Sequence, residues 1–149
     1  MANDRGGALT RQRARKLLVK ALYQWQIAGH DVGELEKQFR ALPEFERCDG
    51  EYFTQLLKLV IEDAAELDVA IARHAARGLE HLDAVGRGIL LLAIGELKHR
   101  ADVPTKVVIN EAVELAKRYG AADSFKFVNA MLDKIARELD RGVPAASSR

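Results

Sequence analysis

Five cations crowd into ten residues near the start of the chain: Arg11, Arg13, Arg15, Lys16 and Lys20. Guanidinium groups offer planar, paired N–H donors that match phosphate oxygens and also stack on bases, which an ammonium does not do. A cluster of them on one element suits polyanion binding with release of counterions. The alternative is a solvated face whose charges serve solubility, since short basic runs are common without function. Basic groups near the positive end of a helix are slightly unfavourable, which favours a functional reason for keeping them. A second group of interest is Asp123, Ser124, Lys126 and Phe127. A lysine and an aromatic ring in the first turn of a helix can contact phosphate and stack on a base.

Enzyme chemistry finds less support. Glu96 and His99 have the Glu-x-x-His spacing of carboxylate-bridged di-iron sites. Such sites need a second pair and two further glutamates, which His30, His74 and His81 do not supply, and both residues are expected to be exposed near a helix end. Cys48 is the single cysteine, with neither a Cys-x-x-Cys partner nor a nearby histidine, so a reactive thiolate or a zinc site is not indicated. The chain has no phosphate-binding glycine loop and no nucleophile elbow. No catalytic residue, cofactor or metal is therefore expected. Asn110, Glu111 and Asn129 stand on otherwise apolar helices and are expected to hydrogen-bond buried backbone or to join two helices.

The elements that must carry these groups are all helical. A chain of 149 residues, 48% apolar, 30% charged and with three prolines, fits one α-helical domain with a substantial core. Residues 1–9 hold Gly6 and Gly7 and lack periodicity, so they read as a flexible basic arm, with Thr10 capping a helix that stops at Gly29. Ala14, Leu17, Leu18, Ala21, Leu22 and Trp25 fall on one arc of that helix. Arg13, Lys16 and Lys20 fall opposite, with Tyr23 beside them, while Arg11 and Arg15 flank the apolar arc. A short helix over residues 31–42 ends at Pro43. The spacing of Phe53, Leu57, Val60, Ala64, Leu67 and Ile71 predicts one long helix or two joined end to end, closed by Gly78. Asp83 can cap a helix over residues 84–100, apolar nearly all round between Ile89 and Ile94, in which Gly86, Gly88 and Gly95 either permit close approach or are simply tolerated.

The last third, residues 104–139, reads as two helices broken at Gly120. Pro104 suits a first turn. Val108, Ala112, Leu115 and Tyr119 make one apolar face, and Phe127 or Val128 with Met131, Ile135 and Leu139 make the next. Gly120 is expected to be left-handed, and Asp123 and Ser124 are both good caps. Residues 141–149 read as a disordered tail, which leaves 10–140 as the folded domain. Charge is uneven along the chain: +5 over residues 1–30, −7 over 31–72 and +3 over 73–149. A basic end beside an acidic middle suggests a polyanion at one surface and a basic partner at another, unless the acidic part is simply a solvated face. No apolar run approaches the roughly 20 residues needed to cross a bilayer, and the start lacks a signal-peptide core, so a cytoplasmic chain without a membrane role is expected.

Several of these stretches together resemble the NusB family of bacterial transcription antitermination factors. They are Arg13-Ala14-Arg15, residues 21–26 (ALYQWQ), Glu96-Leu97, Asp102-Val103-Pro104, residues 107–112 (VVINEA), 114–117 (ELAK), Asp123-Ser124, 126–129 (KFVN) and 132–134 (LDK). The resemblance implies an all-α, compact fold of two small helix bundles sharing a long helix. It implies binding of the boxA element of nascent, mainly ribosomal, RNA as a heterodimer with NusE, a small-subunit ribosomal protein. Assembly with RNA polymerase and other Nus factors is implied as well. By position, Arg11, Arg13 and Arg15 match the family's arginine-rich RNA-binding motif; Asp123, Ser124, Lys126 and Phe127 match the segment that closes the same RNA site. Lys16 and Lys20 join them from the helical wheel alone, and Tyr23 is placed on the NusE side. The segment 120–127 is thus expected to lie beside the arginine-bearing helix. Gln12 interrupts an arginine run that is often longer, and Ala130 stands where glycine is common. Two other readings are an RNA-binding module serving ribosomal RNA modification, which would need a separate catalytic subunit, and a protein adaptor without an RNA role.

Overall fold

The computed structural model describes residues 4–75 and 82–141. Among the described residues there are seven α-helices and no strand, divided into two units, Met1–Glu62 and Asp63–Arg149. The expected helix end at Gly78 and the tail from residue 142 lie outside the described residues, as do the first three residues of the expected arm.

In the first unit α1 (Asp4–Ala28) packs on α3 (Gly50–Glu62), with α2 (Val32–Arg40) and a 3-10 turn (Pro43–Arg47) alongside. Ala14, Leu17, Leu18, Ala21 and Leu22 are buried as their spacing predicts, Val19 joins them, and Trp25 is half-buried. Helix α1 begins at Asp4, so the expected arm is helical from there and Thr10 caps nothing; its hydroxyl donates to the Gly7 carbonyl inside the helix. Propagating a nucleated helix adds one hydrogen bond per residue fixed, so a packed segment extends through weak formers such as Gly6 and Gly7. The helix closes at Gly29, which takes a left-handed φ of 71°. Helix α2 starts with a capping box: Glu34 N–H donates to Asp31 Oδ1 at 2.8 Å, and Asp31 N–H donates to Glu34 Oε1 at 3.2 Å. The core of this unit is mainly aliphatic, with an aromatic cluster centred on Phe53. Phe53 is fully buried, its ring stacked 5.7 Å from Phe39 and edge-on 5.5 Å from Phe45.

The second unit holds α4 (Ala64–His74), α5 (Ala84–His99), α6 (Thr105–Tyr119) and α7 (Ser124–Glu138). Of the two alternatives for residues 51–76, the pair of helices is found, with Asp63 between them. Helix α5 is central: every residue from Gly88 to Leu97 is buried, and α4, α6 and α7 pack against it. Its cap is the expected one, Asp83 Oδ1 accepting from Gly86 N–H at 2.7 Å. Glu96 belongs to this buried run, against the expectation of exposure, because neighbours surround the helix to its last turn. Arg87 reaches Asp68 on α4 with two bonds, Nε to Oδ1 at 3.0 Å and Nη2 to Oδ2 at 2.6 Å. The hydrogen bonds to Asp68, the largest influence, outweigh burial and raise the pKa of Arg87. Arg141, placed in the disordered tail by sequence, is anchored: its guanidinium donates to the carbonyls of Leu97, at 2.6 Å, and Val103.

Asp63 accepts from Lys98 Nζ at 2.7 Å and lies 3.2 Å from His99 Nε2. Burial pushes the Asp63 carboxyl up, but the hydrogen bonds and charges of Lys98 and His99 outweigh it and hold the pKa below its ordinary value. A carboxylate with a depressed folded pKa stabilises fully above its unfolded pKa, near 3.9, and loses that contribution as pH falls through the folded value. Asp63→Asn is therefore expected to lower the unfolding midpoint at pH 7 by an amount that stays constant down to about pH 5 and shrinks as pH falls through the depressed folded pKa of Asp63. Thermal melts of both proteins across that range check it; a deficit persisting at the acid end would contradict the assignment.

The break between α6 and α7 is where the sequence expectation and the structure differ most. Gly120 is extended, with φ −86° and ψ 175°, and not left-handed. Glycine is needed there for space: a Cβ would sit 2.5 Å from Ser124 Oγ and 2.8 Å from the Ala116 carbonyl oxygen. Gly120→Ala is accordingly expected to destabilise the second unit by about 2 kcal/mol, a typical overpacking cost. Urea unfolding followed by circular dichroism measures it, and a neutral result would mean that the turn opens freely.

Candidate nucleic-acid interface

The five clustered cations of α1 do not share one face. Arg13 and Lys16 are half-buried and Lys20 is exposed, on the side away from the core, and Tyr23 beside them is 44% exposed. Ile27, one turn further, is 65% exposed and continues that outer side. Arg13 Nη1 donates to the Arg47 carbonyl across a long 3.4 Å. Arg11 and Arg15 point the other way, towards α3. The Arg11 guanidinium carbon lies over the Tyr52 ring, 4.4 Å from its centroid, and its Nε is 3.7 Å from Asp49 Oδ2. Arg15 is 3% exposed, its guanidinium carbon 5.6 Å from the centroid of the same ring. An arginine edging an apolar arc can snorkel to solvent or fold inward, and here α3 supplies an aromatic face that draws it in. The expectation that Arg15 presents its side chain to RNA thus meets a buried group.

In the second unit the turn into α7 sorts its four candidates by side. Asp123 stands at the N-cap position in the left-handed conformation, φ 65°, and makes no capping bond with its side chain. Short polar residues tolerate that conformation. Ser124 follows as the first helical residue; its hydroxyl oxygen is buried without a hydrogen-bond partner among the described residues. Both were expected as caps, and neither caps by side chain, because the turn is closed by backbone bonds: Ser124 N–H to Ala121 O at 3.0 Å and Lys126 N–H to Asp123 O at 3.1 Å. Lys126 and Asp123 are exposed, 3.9 Å apart at Nζ and Oδ1. Phe127 is 40% exposed whereas Val128 is buried, which settles which of the two serves the core. The turn therefore offers solvent a cation, an anion and a large ring.

The other polar groups weighed from sequence lie elsewhere. Asn110 and Asn129 are exposed and Glu111 half-buried, so the two asparagines do not serve buried backbone. Among the described residues no group of three or more metal-ligating side chains is gathered, and His99 lies against Asp63. Burial first, then the neighbouring Asp49 charge, pushes the Cys48 thiol up, the reverse of what a nucleophile requires. No helix of the described residues is long and apolar enough to cross a membrane.

The NusB family model matches residues 12–137, and a transcription antitermination protein NusB from Alcanivorax borkumensis is 49% identical over 129 residues, covering 87% of this chain and 86% of that protein. The chain belongs to the NusB family. Solved structures agree. T. maritima NusB superposes with a TM-score of 0.76 at 36% identity, covering 86% of this chain and 91% of that one. A chain from a structure of the antitermination factors NusB and NusE in complex with dsRNA superposes at 0.68 with 28% identity, covering 93% of this chain and 99% of that one. This NusB-family chain shares with them the all-helical fold that the sequence indicates.

Three residues at the candidate surfaces escaped the sequence reading. Tyr52 and Asp49 hold Arg11, and Phe125 takes Lys117 Nζ at 5.1 Å and Lys126 Nζ at 6.0 Å from its ring centroid. An aromatic residue at the start of a helix was the only available signal for Tyr52, and it is indistinguishable from core filling.

Proposed function

We propose that this NusB-family chain is a transcription antitermination factor. In this reading it binds the boxA element of nascent ribosomal RNA transcripts as a heterodimer with NusE and joins RNA polymerase and other Nus factors in the cytoplasm. It has no catalytic step of its own. The observation that supports this best is the outer side of α1, where Arg13, Lys16 and Lys20 stand next to an exposed Tyr23, on a fold shared with a chain seen alongside NusE and dsRNA. Arg11, Arg13, Lys16 and Lys20 supply phosphate contacts from the first unit. Lys126 and Phe127 supply a phosphate contact and a stacking ring from the second. Asp123 lies beside Lys126 on that surface, and Arg15 and Ser124 support these surfaces from inside. Tyr23 faces NusE.

A gel shift with boxA RNA, with and without NusE, against a scrambled RNA of the same composition tests the reading. Retardation of boxA alone, strengthened by NusE, is expected. Equal retardation of both RNAs would reduce the function to polyanion binding, and no effect of NusE would remove the heterodimer from it.

A further inference from the structure

We propose that Tyr52 is the positioning residue of the arginine motif, holding Arg11 and Arg15 in place on the helix that the RNA-binding reading uses. The proposal rests on that reading for its purpose but not for its geometry. Arg11 and Arg15 are four apart on α1 and so lie one above the other. Both guanidinium carbons come within 6 Å of one ring, at 4.4 and 5.6 Å, and that ring is 2% exposed. Two like charges in a poorly solvated place repel strongly unless something offsets them. The negative ring face is one offset, and the Asp49 carboxylate, 3.7 Å from Arg11 Nε, is another.

The turn that carries Tyr52 is itself clipped to α1. Asp49 N–H donates to the Thr10 carbonyl at 3.0 Å, and Asp49 Oδ1 caps α3 by accepting from Tyr52 N–H at 3.1 Å. Arg13 reaches the Arg47 carbonyl in the same turn. Residues 47–52 therefore touch all three arginines of the motif, so the turn as well as α1 sets their directions. An arginine immobilised before binding has less freedom to lose when it meets RNA, which is how a buried ring with no access to RNA would raise affinity.

The test compares Tyr52→Phe, Tyr52→Leu and Arg11→Ala in the full chain. Arginine Nε–H NMR of the free protein is recorded first, then boxA RNA binding across a salt series with NusE present, with unfolding midpoints as a control. Ring-current shifts of Arg11 and Arg15 and a restrained Arg11 side chain are expected in the unsubstituted chain and in Tyr52→Phe, and lost in Tyr52→Leu. Tyr52→Phe should bind RNA within about twofold of the unsubstituted chain, and Tyr52→Leu roughly fivefold more weakly. In an Arg11→Ala background Tyr52→Leu should add less than about twofold, since coupled residues are not additive. Unchanged arginine spectra in Tyr52→Leu, or full additivity with Arg11→Ala, overturn the inference. If Tyr52→Leu does not fold, Tyr52→Phe carrying five ring fluorines keeps the shape and removes the negative face; unaltered arginine spectra would then overturn it. Restrained arginines in a chain that does not distinguish boxA from scrambled RNA would instead overturn the RNA reading alone.

Discussion

Phe53→Ala is expected to remove about 4 kcal/mol of stability from the first unit, more than any other single truncation in it. Phe53 is fully buried and meets one ring face-on, Phe39, and another edge-on, Phe45. Truncating a buried Phe costs about 3–5 kcal/mol through lost transfer energy and the cavity left behind. The favourable geometry of each aromatic pair adds about 0.5–1.5 kcal/mol beyond area. Against a stability of about 0.05–0.15 kcal/mol per residue, a unit of this size loses most of its margin. Phe53→Leu should cost less, about 1–3 kcal/mol, because most of the volume stays and the loss is mainly that of the two aromatic pairs. Trp25 is the single tryptophan and belongs to this unit, so its fluorescence during urea unfolding reports the loss directly. A loss below about 1 kcal/mol for the alanine variant would show that the three rings do not pack together.

That aromatic cluster also shows why some features could be read from the sequence and others could not. The buried arc of α1 and the apolar spacing from Phe53 to Ile71 are periodic, and period alone assigns a residue to a face. What stands opposite that face comes from distant sequence. A helical wheel puts Arg15 at the edge of the arc but does not contain Tyr52, which decides that Arg15 is buried. Whether α3 and α4 are one helix or two stayed open in the sequence, because the apolar spacing runs through their junction without a break. Asp63 at that point pairs with Lys98 and His99 at the far end of α5. Local chemistry misled at Thr10, which lies inside α1 and caps nothing, and again at the turn into α7. A glycine after a helix and an Asp-Ser pair before the next suggest a left-handed closure and a side-chain cap. Here Gly120 is extended, Ser124 Oγ and the Ala116 carbonyl leave no room for a Cβ on it, and the left-handed residue is Asp123. The helical class and the family signature survived these errors because they rest on many residues at once, whereas each contact at the candidate surfaces rests on two or three.

Replacing Arg13, Lys16 and Lys20 together by alanine is expected to weaken boxA RNA binding about a hundredfold at 0.1 M salt. Each phosphate contact with single-stranded RNA contributes a salt slope of about 0.7, so losing three should reduce the slope of log K against log salt by about two. The hundredfold loss follows from the same slope, because the counterion-release contribution scales with it. The three side chains are on the outer side of α1 and none is fully buried, so the folded state should be retained. Arg15→Ala should behave in the opposite way. Its side chain is buried beside Tyr52, so its removal leaves a gap and lowers the unfolding midpoint, while the salt slope stays close to that of the unsubstituted chain. Affinity alone cannot separate the two cases, since a partly unfolded variant also binds poorly. The slope can, because it counts the cations that displace counterions and is indifferent to how much protein is folded. A slope unchanged in the triple variant would move the RNA off this side of α1, and a shallower slope in folded Arg15→Ala would mean that the buried guanidinium turns outward when RNA arrives.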